Sequence, residues 1–127
     1  MYFIRVSLPL FPLKTVLLPK GALELRIFEP RYQHLLEDCL NNNKPFGVVF
    51  YQNGDDELGS MRPVGCLAHI IETIRYEDGT ARLLVEGGAR FRLDQLDITS
   101  KPYYFANEEV LEEVLDISST DPILTAA

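Results

Sequence analysis

The chain has 127 residues, 46% of them hydrophobic, two cysteines and a formal net charge of −7. That is the size of one domain with apolar residues enough for one core, and no apolar run approaches the ~20 residues needed to span a bilayer. An acidic chain argues against nucleic acid and against anionic membrane surfaces as partners, since both attract clustered Lys and Arg. Two cysteines, Cys39 and Cys66, make no disulfide framework, and a reduced cytoplasmic compartment is the simplest match.

The opening residues MYFIRVSLPLFPLK lack the basic n-region and continuous apolar stretch of a signal peptide. Phe3–Leu13 reads as extended structure, because Pro9 and Pro12 exclude a helix and are tolerated at strand edges. Val16–Leu18 is a second short apolar run, ended by the turn Pro19-Lys20-Gly21. From Ala22 to Phe28 the pattern alternates, with Leu23, Leu25 and Ile27 on one face and Glu24 and Arg26 on the other. That is a half-buried strand.

Pro30 suits the first position of a helix, where a missing N–H costs nothing. Tyr32, Leu35, Leu36, Cys39 and Leu40 then form the apolar stripe of one amphipathic helix, which Asn41-Asn42-Asn43 and Pro45 bring to an end. Phe46–Tyr51 is an aromatic and β-branched strand without polar alternation, expected to be buried on both faces. Gln52–Ser60 is a polar, acidic loop. Val64–Tyr76 reads as a long strand carrying Leu67, Ile70, Ile71 and Ile74, and Asp78-Gly79 marks a hairpin turn. Ala81–Val85 returns, Gly87-Gly88 suggests a bulge or sharp bend, and Phe91 and Leu93 resume the alternation.

The last quarter is ambiguous in local terms. Tyr103–Leu111 has the look of a final strand, yet Ala106, Val110, Leu111, Val114 and Leu115 also fit a helical stripe, and the glutamates favour helix. Five of the seven net negative charges fall in residues 101–127. Thr120-Asp121-Pro122 is a helix opening, with Asp at the N-cap and Pro at the first position, but Ile123–Ala127 is too short to hold as an independent helix. About six strands, one early helix and closely spaced turns point to a small barrel or sandwich.

Five pieces carry a resemblance to a known family. LPLFPL (Leu8–Leu13), TVLLPKG (Thr15–Gly21), ALELRIF (Ala22–Phe28) and EPRY (Glu29–Tyr32) form the opening, followed by PFGVVF, VGCLAHI, DGTARLLVEGGARFRL and PYYFANEEVL. In this order and spacing, over Leu8–Leu111, the chain resembles the N-terminal domain of Lon protease, and its short stand-alone bacterial members in particular. The turn Leu17-Leu18-Pro19-Lys20-Gly21 departs from the family's shorter Phe-Pro-Gly form. The resemblance implies a mixed β-rich α+β fold, a PUA-like pseudo-barrel of about six strands with one amphipathic helix after the third strand. It also favours strand over helix to about Leu111. It divides the chain into a domain at residues 1–116 and a tail at 117–127 that opens a helical extension.

The same resemblance implies a polypeptide-binding module that recognises unfolded or degron-bearing segments or a partner protein. Its site would lie at Phe28, Glu29, Pro30, Arg31 and Tyr32, beside the strand Leu23–Ile27. A free sheet edge there would take an extended peptide by main-chain hydrogen bonds. Glu29 and Arg31 also suit a simpler role, capping and orienting the helix start.

Catalytic constellations are missing from the pattern. The chain has no G-x-x-x-x-G-K-[ST] phosphate loop, and the family's Ser–Lys protease pair belongs to a separate domain. Cys39 lies about 140° round the helix from His34, so a Cys–His pair would need His69 brought to Cys39 or Cys66. No spacing suits zinc, and Asp55-Asp56-Glu57 lacks the alternation of a calcium loop. No catalytic residue, metal or cofactor is expected. Arg82, Arg90 and Arg92 with Phe91 support the alternative, an RNA-binding PUA-like module, but alternation sets Arg90 and Arg92 opposite Phe91, as on any half-exposed strand.

Overall fold

The computed structural model describes residues 2–52, 54, 59–98 and 100–112. Six strands and one helix follow in the order β1 (Tyr2–Leu13), β2 (Ala22–Ile27), α1 (Pro30–Asn42), β3 (Phe46–Phe50), β4 (Val64–Arg75), β5 (Ala81–Asp97) and β6 (Phe105–Glu112). The strands share one sheet in the order β2-β5-β4-β3-β1-β6, and β6 pairs with β5 as well. The pairings therefore run β1–β3–β4–β5–β6 and back to β1, the pseudo-barrel the sequence leads one to expect. Strand β2 stands outside that circuit, joined among the described residues to β5 alone.

The helix follows the second strand, not the third, because Val16–Leu18 forms no strand. Leu17 turns into the core while Val16 and Leu18 remain exposed. The backbone of this segment is engaged with β5 instead: Lys20 N–H donates to Gly87 O at 2.9 Å, and Gly87 N–H donates to Gly21 O at 2.8 Å. The final segment is a strand through Glu112, paired antiparallel with β1 from Tyr2↔Glu112 to Pro9↔Phe105. The acidic triplet Asp55–Glu57, Val114, Leu115 and the Thr120–Pro122 helix opening lie outside the described residues.

On the edge away from β4, strand β5 serves two neighbours in turn. Residues 81–86 pair with β2, and residues 91–97 pair with β6. Between them Cys66 faces Arg90 but Ala68 faces Gly87, so β5 carries one extra residue across Gly88-Ala89. This is the bulge expected at Gly87-Gly88, and bulges bend a strand and increase its twist. A second irregularity lies on β4, where Ile70 faces Val85 but Glu72 faces Leu84. It breaks the alternation at Ile71. As a result Cys66 and Ala68 are the buried residues of β4, whereas Ile71 and Ile74 are each 52% exposed.

The main core joins α1 to the inner face of β2 and β5. Tyr32, Leu35, Leu36 and Cys39 pack with Leu25, Ile27, Leu83 and Val85, and each aliphatic side chain so buried is worth about 1.5–3 kcal/mol of transfer free energy. Leu40, the last member of the helical stripe, stays partly exposed. The helix ends at Asn43, which adopts the left-handed conformation with φ 53°, a geometry asparagine tolerates better than most residues. A smaller cluster of Leu10, Val49, Phe91 and Ala106 fills the other part of the interior. The Phe91 ring fits there because β3 and β4 present glycines to it: a Cβ on Gly47 or Gly65 would lie 2.7 or 2.5 Å from Phe91 Cζ.

Candidate functional site

The turn from β2 into α1 holds the five residues singled out in the sequence, and the structure separates them by burial. Phe28 is 64% exposed and Tyr32 only 5%. Tyr32 stacks on Phe11 with ring centroids 4.2 Å apart, so it is a floor residue and not a contact surface. Glu29 occupies the N-cap position with extended backbone, but its side chain makes no cap hydrogen bond. Instead its Oε1 accepts from Arg31 Nε at 3.0 Å. The Arg31 guanidinium lies 4.6 Å from the Tyr32 ring centroid and 5.5 Å from that of Tyr104, a placement in which the ring faces favour the cation. Pro30 begins the helix, as its lack of an N–H suits.

Phe28 is held in place through its backbone. Gln33 Nε2 donates to Phe28 O at 2.9 Å, and Gln33 Oε1 lies where a Cβ on Gly79 would come within 3.0 Å. Gln33 thus spans from the start of α1 to the β4–β5 turn. That turn needs Gly79, whose φ is 92°, a conformation costly for residues with a Cβ. Asp78 Oδ1 accepts from Thr80 N at 3.0 Å and Thr80 Oγ1 at 2.7 Å, and these hydrogen bonds hold the Asp78 carboxyl below its ordinary pKa.

Two clefts meet at this ridge. One, of about 210 Å³, opens between β1 and the helix start and is bordered by Leu13, Lys14, Arg26, Phe28, Arg31 and Tyr51. The other, a trough of about 700 Å³, lies over the outer face of the hairpin and is bordered by Glu24, Arg26, Phe28, Tyr76, Asp78 and Arg82. Arg26 and Phe28 border both. Ile74, Tyr76 and Leu84 are exposed around the trough at 52%, 44% and 36%. Apolar surface grouped in this way on a sheet face is a common mark of a binding surface.

Ile74, Tyr76, Leu84, Lys14 and Tyr51 are the residues the sequence reading of this site missed. Leu84 did leave a signal: it stands between buried Leu83 and Val85, in register with exposed Arg82 and Glu86, where alternation calls for a polar residue.

The other constellations are not assembled. Burial and then the Asp38 charge push the Cys39 thiol up to about 12, which keeps it protonated and unreactive. Cys66 is buried, with Sγ directed at the carbonyls of Leu67 and Gly88 at 3.5 Å, while His69 on the same strand is exposed. Among the described residues no group of three His, Cys, Asp or Glu could hold a metal ion, and no helix is long and apolar enough to cross a membrane. Phe91 is fully buried and Arg82 is ion-paired with Glu24 at 2.5 Å. Phe91 therefore offers no exposed ring to the surface of the RNA alternative, while Arg90 and Arg92 lie on the exposed face of β5.

Comparison with known proteins fits this architecture. The family described as the ATP-dependent protease La (LON) substrate-binding domain matches residues 7–125. Lon protease of Dictyoglomus thermophilum is 30% identical over 112 residues, covering 86% of the chain and 14% of that protein. Lon protease of Flavobacterium johnsoniae is 31% identical over 121 residues, covering 91% of the chain and 15% of that protein. The chain thus spans about one seventh of the length of these curated relatives. Among solved structures, a Lon N-terminal domain protein from Xanthomonas campestris superposes with a TM-score of 0.72 at 32% identity, over 84% of this chain and 60% of that one. The N-terminal domain of a Mycobacterium avium complex Lon protease shares the fold, with a TM-score of 0.65 at 11% identity over 91% of this chain and 63% of that one.

Proposed function

The chain belongs to the substrate-binding domain family of ATP-dependent protease La, and from that premise we propose that it is a non-catalytic module that captures polypeptide in extended form, in unfolded or degron-bearing segments, along β2 and the Phe28–Tyr32 turn. The observation that carries this reading is the free edge of β2. Every other strand has at least two strand neighbours, whereas β2 has one among the described residues. A free edge accepts an added strand through main-chain hydrogen bonds, which are indifferent to sequence and suit a receptor for varied clients. Phe28 stands at the end of that edge, exposed and tethered by Gln33, and offers an apolar contact that a folded client would not match. In this reading Pro30 fixes the turn, Tyr32 is its floor, and the Glu29–Arg31 pair forms the polar rim.

The test is fluorescence anisotropy of the domain against a labelled unfolded polypeptide and a labelled single-stranded RNA, each over a salt series. Saturable binding of the polypeptide that persists in salt, with no RNA binding, is the expected result. Salt-sensitive RNA binding without polypeptide binding would overturn it.

A further inference from the structure

Arg26 is the one cation bordering both clefts that has no partner among the described residues, and its placement runs against the charge logic of the sheet. In register it faces Arg82 directly across the β2–β5 ladder. Like charges opposite each other in a sheet are destabilising. Arg82 escapes the conflict through Glu24, at 2.5 Å. Arg26 does not, because the carboxylates around it are already engaged: Glu24 by Arg82, Glu29 by Arg31 and Asp78 by Thr80. Within a chain of net charge −7, the two clefts therefore gather four cations (Lys14, Arg26, Arg31 and Arg82) against three carboxylates, two of them already ion-paired and the third, Asp78, bound into the hairpin turn by Thr80.

We propose that the β2 edge selects extended segments that carry a carboxylate and an apolar side chain two residues apart, the carboxylate against Arg26 and the apolar group against Phe28. The spacing follows from the strand. Arg26 lies on β2 and Phe28 directly after its last residue, Ile27; the two border the same clefts, and a strand added along the edge and carried one residue past it presents alternate side chains to one face. The inference rests on the edge-docking reading above and adds the chemistry of the client. A second copy of this chain is the competing occupant, since antiparallel β2–β2 pairing about Leu25 would set Glu24 against Arg26 of the other copy. Glu24 is already held by Arg82, so the peptide is the better match.

The test uses three labelled peptides of equal hydrophobicity, measured by anisotropy against the 127-residue protein: glutamate two residues from a leucine, lysine in its place, and glutamate moved to three residues from the leucine. The first is expected to bind about fivefold more tightly than the others, a preference that shrinks as salt rises, as for a partly exposed charge pair. Arg26→Glu should transfer the preference to the lysine peptide, and Arg26→Gln should abolish it. Neither variant should lower the melting temperature, since both relieve the opposition to Arg82, whereas a purely structural arginine would lower it on removal. Equal binding of all three peptides overturns the charge selection while leaving edge docking intact. Binding of none removes the docking reading and this inference with it. Sedimentation of a dimer that Arg26→Glu dissociates overturns the peptide assignment in favour of a second copy.

Discussion

The Tyr103 hydroxyl donates to the Asp38 carboxylate at 2.5 Å, across 65 residues of sequence. The bond ties the approach to β6 onto the last turns of α1, beside the buried Cys39. Burial, and then the hydrogen bond to Asp38, raise the Tyr103 pKa above its ordinary value of 10.0. The neutral phenol is thus the form the fold prefers. Tyr103→Phe is expected to cost about 1–3 kcal/mol, since it leaves a half-buried carboxylate without its donor. Because the folded pKa lies above the unfolded one, this stabilisation is intact below pH 10 and fades as pH rises further. Urea midpoints at neutral and alkaline pH, for the parent and the variant, check both parts, and the alkaline loss should be smaller in the variant.

Cys39 is expected to resist alkylation in the native state at pH 8, because its thiol is pushed up to about 12 by burial and by Asp38 and the thiolate is the reactive form. Iodoacetamide labelling followed by mass spectrometry, with and without denaturant, measures this. Modification at similar rates in both conditions would contradict the buried placement.

Phe28 and Tyr32 should separate binding from folding. Phe28→Ala removes an exposed ring and should leave stability within about 0.5 kcal/mol, while weakening an extended peptide by about tenfold if the ring is a contact hot spot. Tyr32→Ala removes a core ring stacked on Phe11 and should cost about 3–5 kcal/mol. Thermal melts and peptide anisotropy on the same samples distinguish the two.

Asp78 gives the hairpin an acid sensitivity. Its carboxyl is held below the ordinary value of 3.8 by the Thr80 hydrogen bonds, so the turn is secure at neutral pH and loosens as pH falls through and below that value. The Thr80 amide resonance should report this by a shift and faster exchange with solvent under acid. Asp78→Ala should show that exchange already at neutral pH.

What the sequence could reveal here depended on how local the cause was. The alternation of β2 placed Leu25 and Ile27 inside and Arg26 outside, because a half-buried strand imposes a period of two on its side chains. The stripe of α1 placed Tyr32, Leu35, Leu36 and Cys39 correctly for the equivalent reason. The β4 pattern gave the strand but not its inner face, because a one-residue irregularity at Ile71 changes which side chains face inward and leaves no mark in composition. The extended path of residues 105–112 was ambiguous until its partners were known, since strand pairing with β1 and β5 overrides the helical preference of its glutamates. Within the candidate site, the exposure of Phe28 agrees with its parity with Glu24 and Arg26. The contributions of Tyr76 and Leu84 depend on the sheet register that brings the hairpin beside β2. The uncompensated charge of Arg26 becomes visible only once Arg82 is seen across from it.

The pairing of β1 with β6 sets the order in which this protein can assemble. Tyr2 meets Glu112 in that ladder, so β1, made before the other five strands, waits for the last of them before its second neighbour exists. Contacts so distant in sequence slow folding, because the entropy of ordering the intervening chain is lost before the contact is gained. During synthesis β1 and its apolar residues Leu8, Leu10 and Phe11 therefore have only β3 to shelter one edge. The parallel β1–β3 pair and α1 packed near it are the natural early nucleus, with closure by β6 as the late, slow step that refolding kinetics should detect.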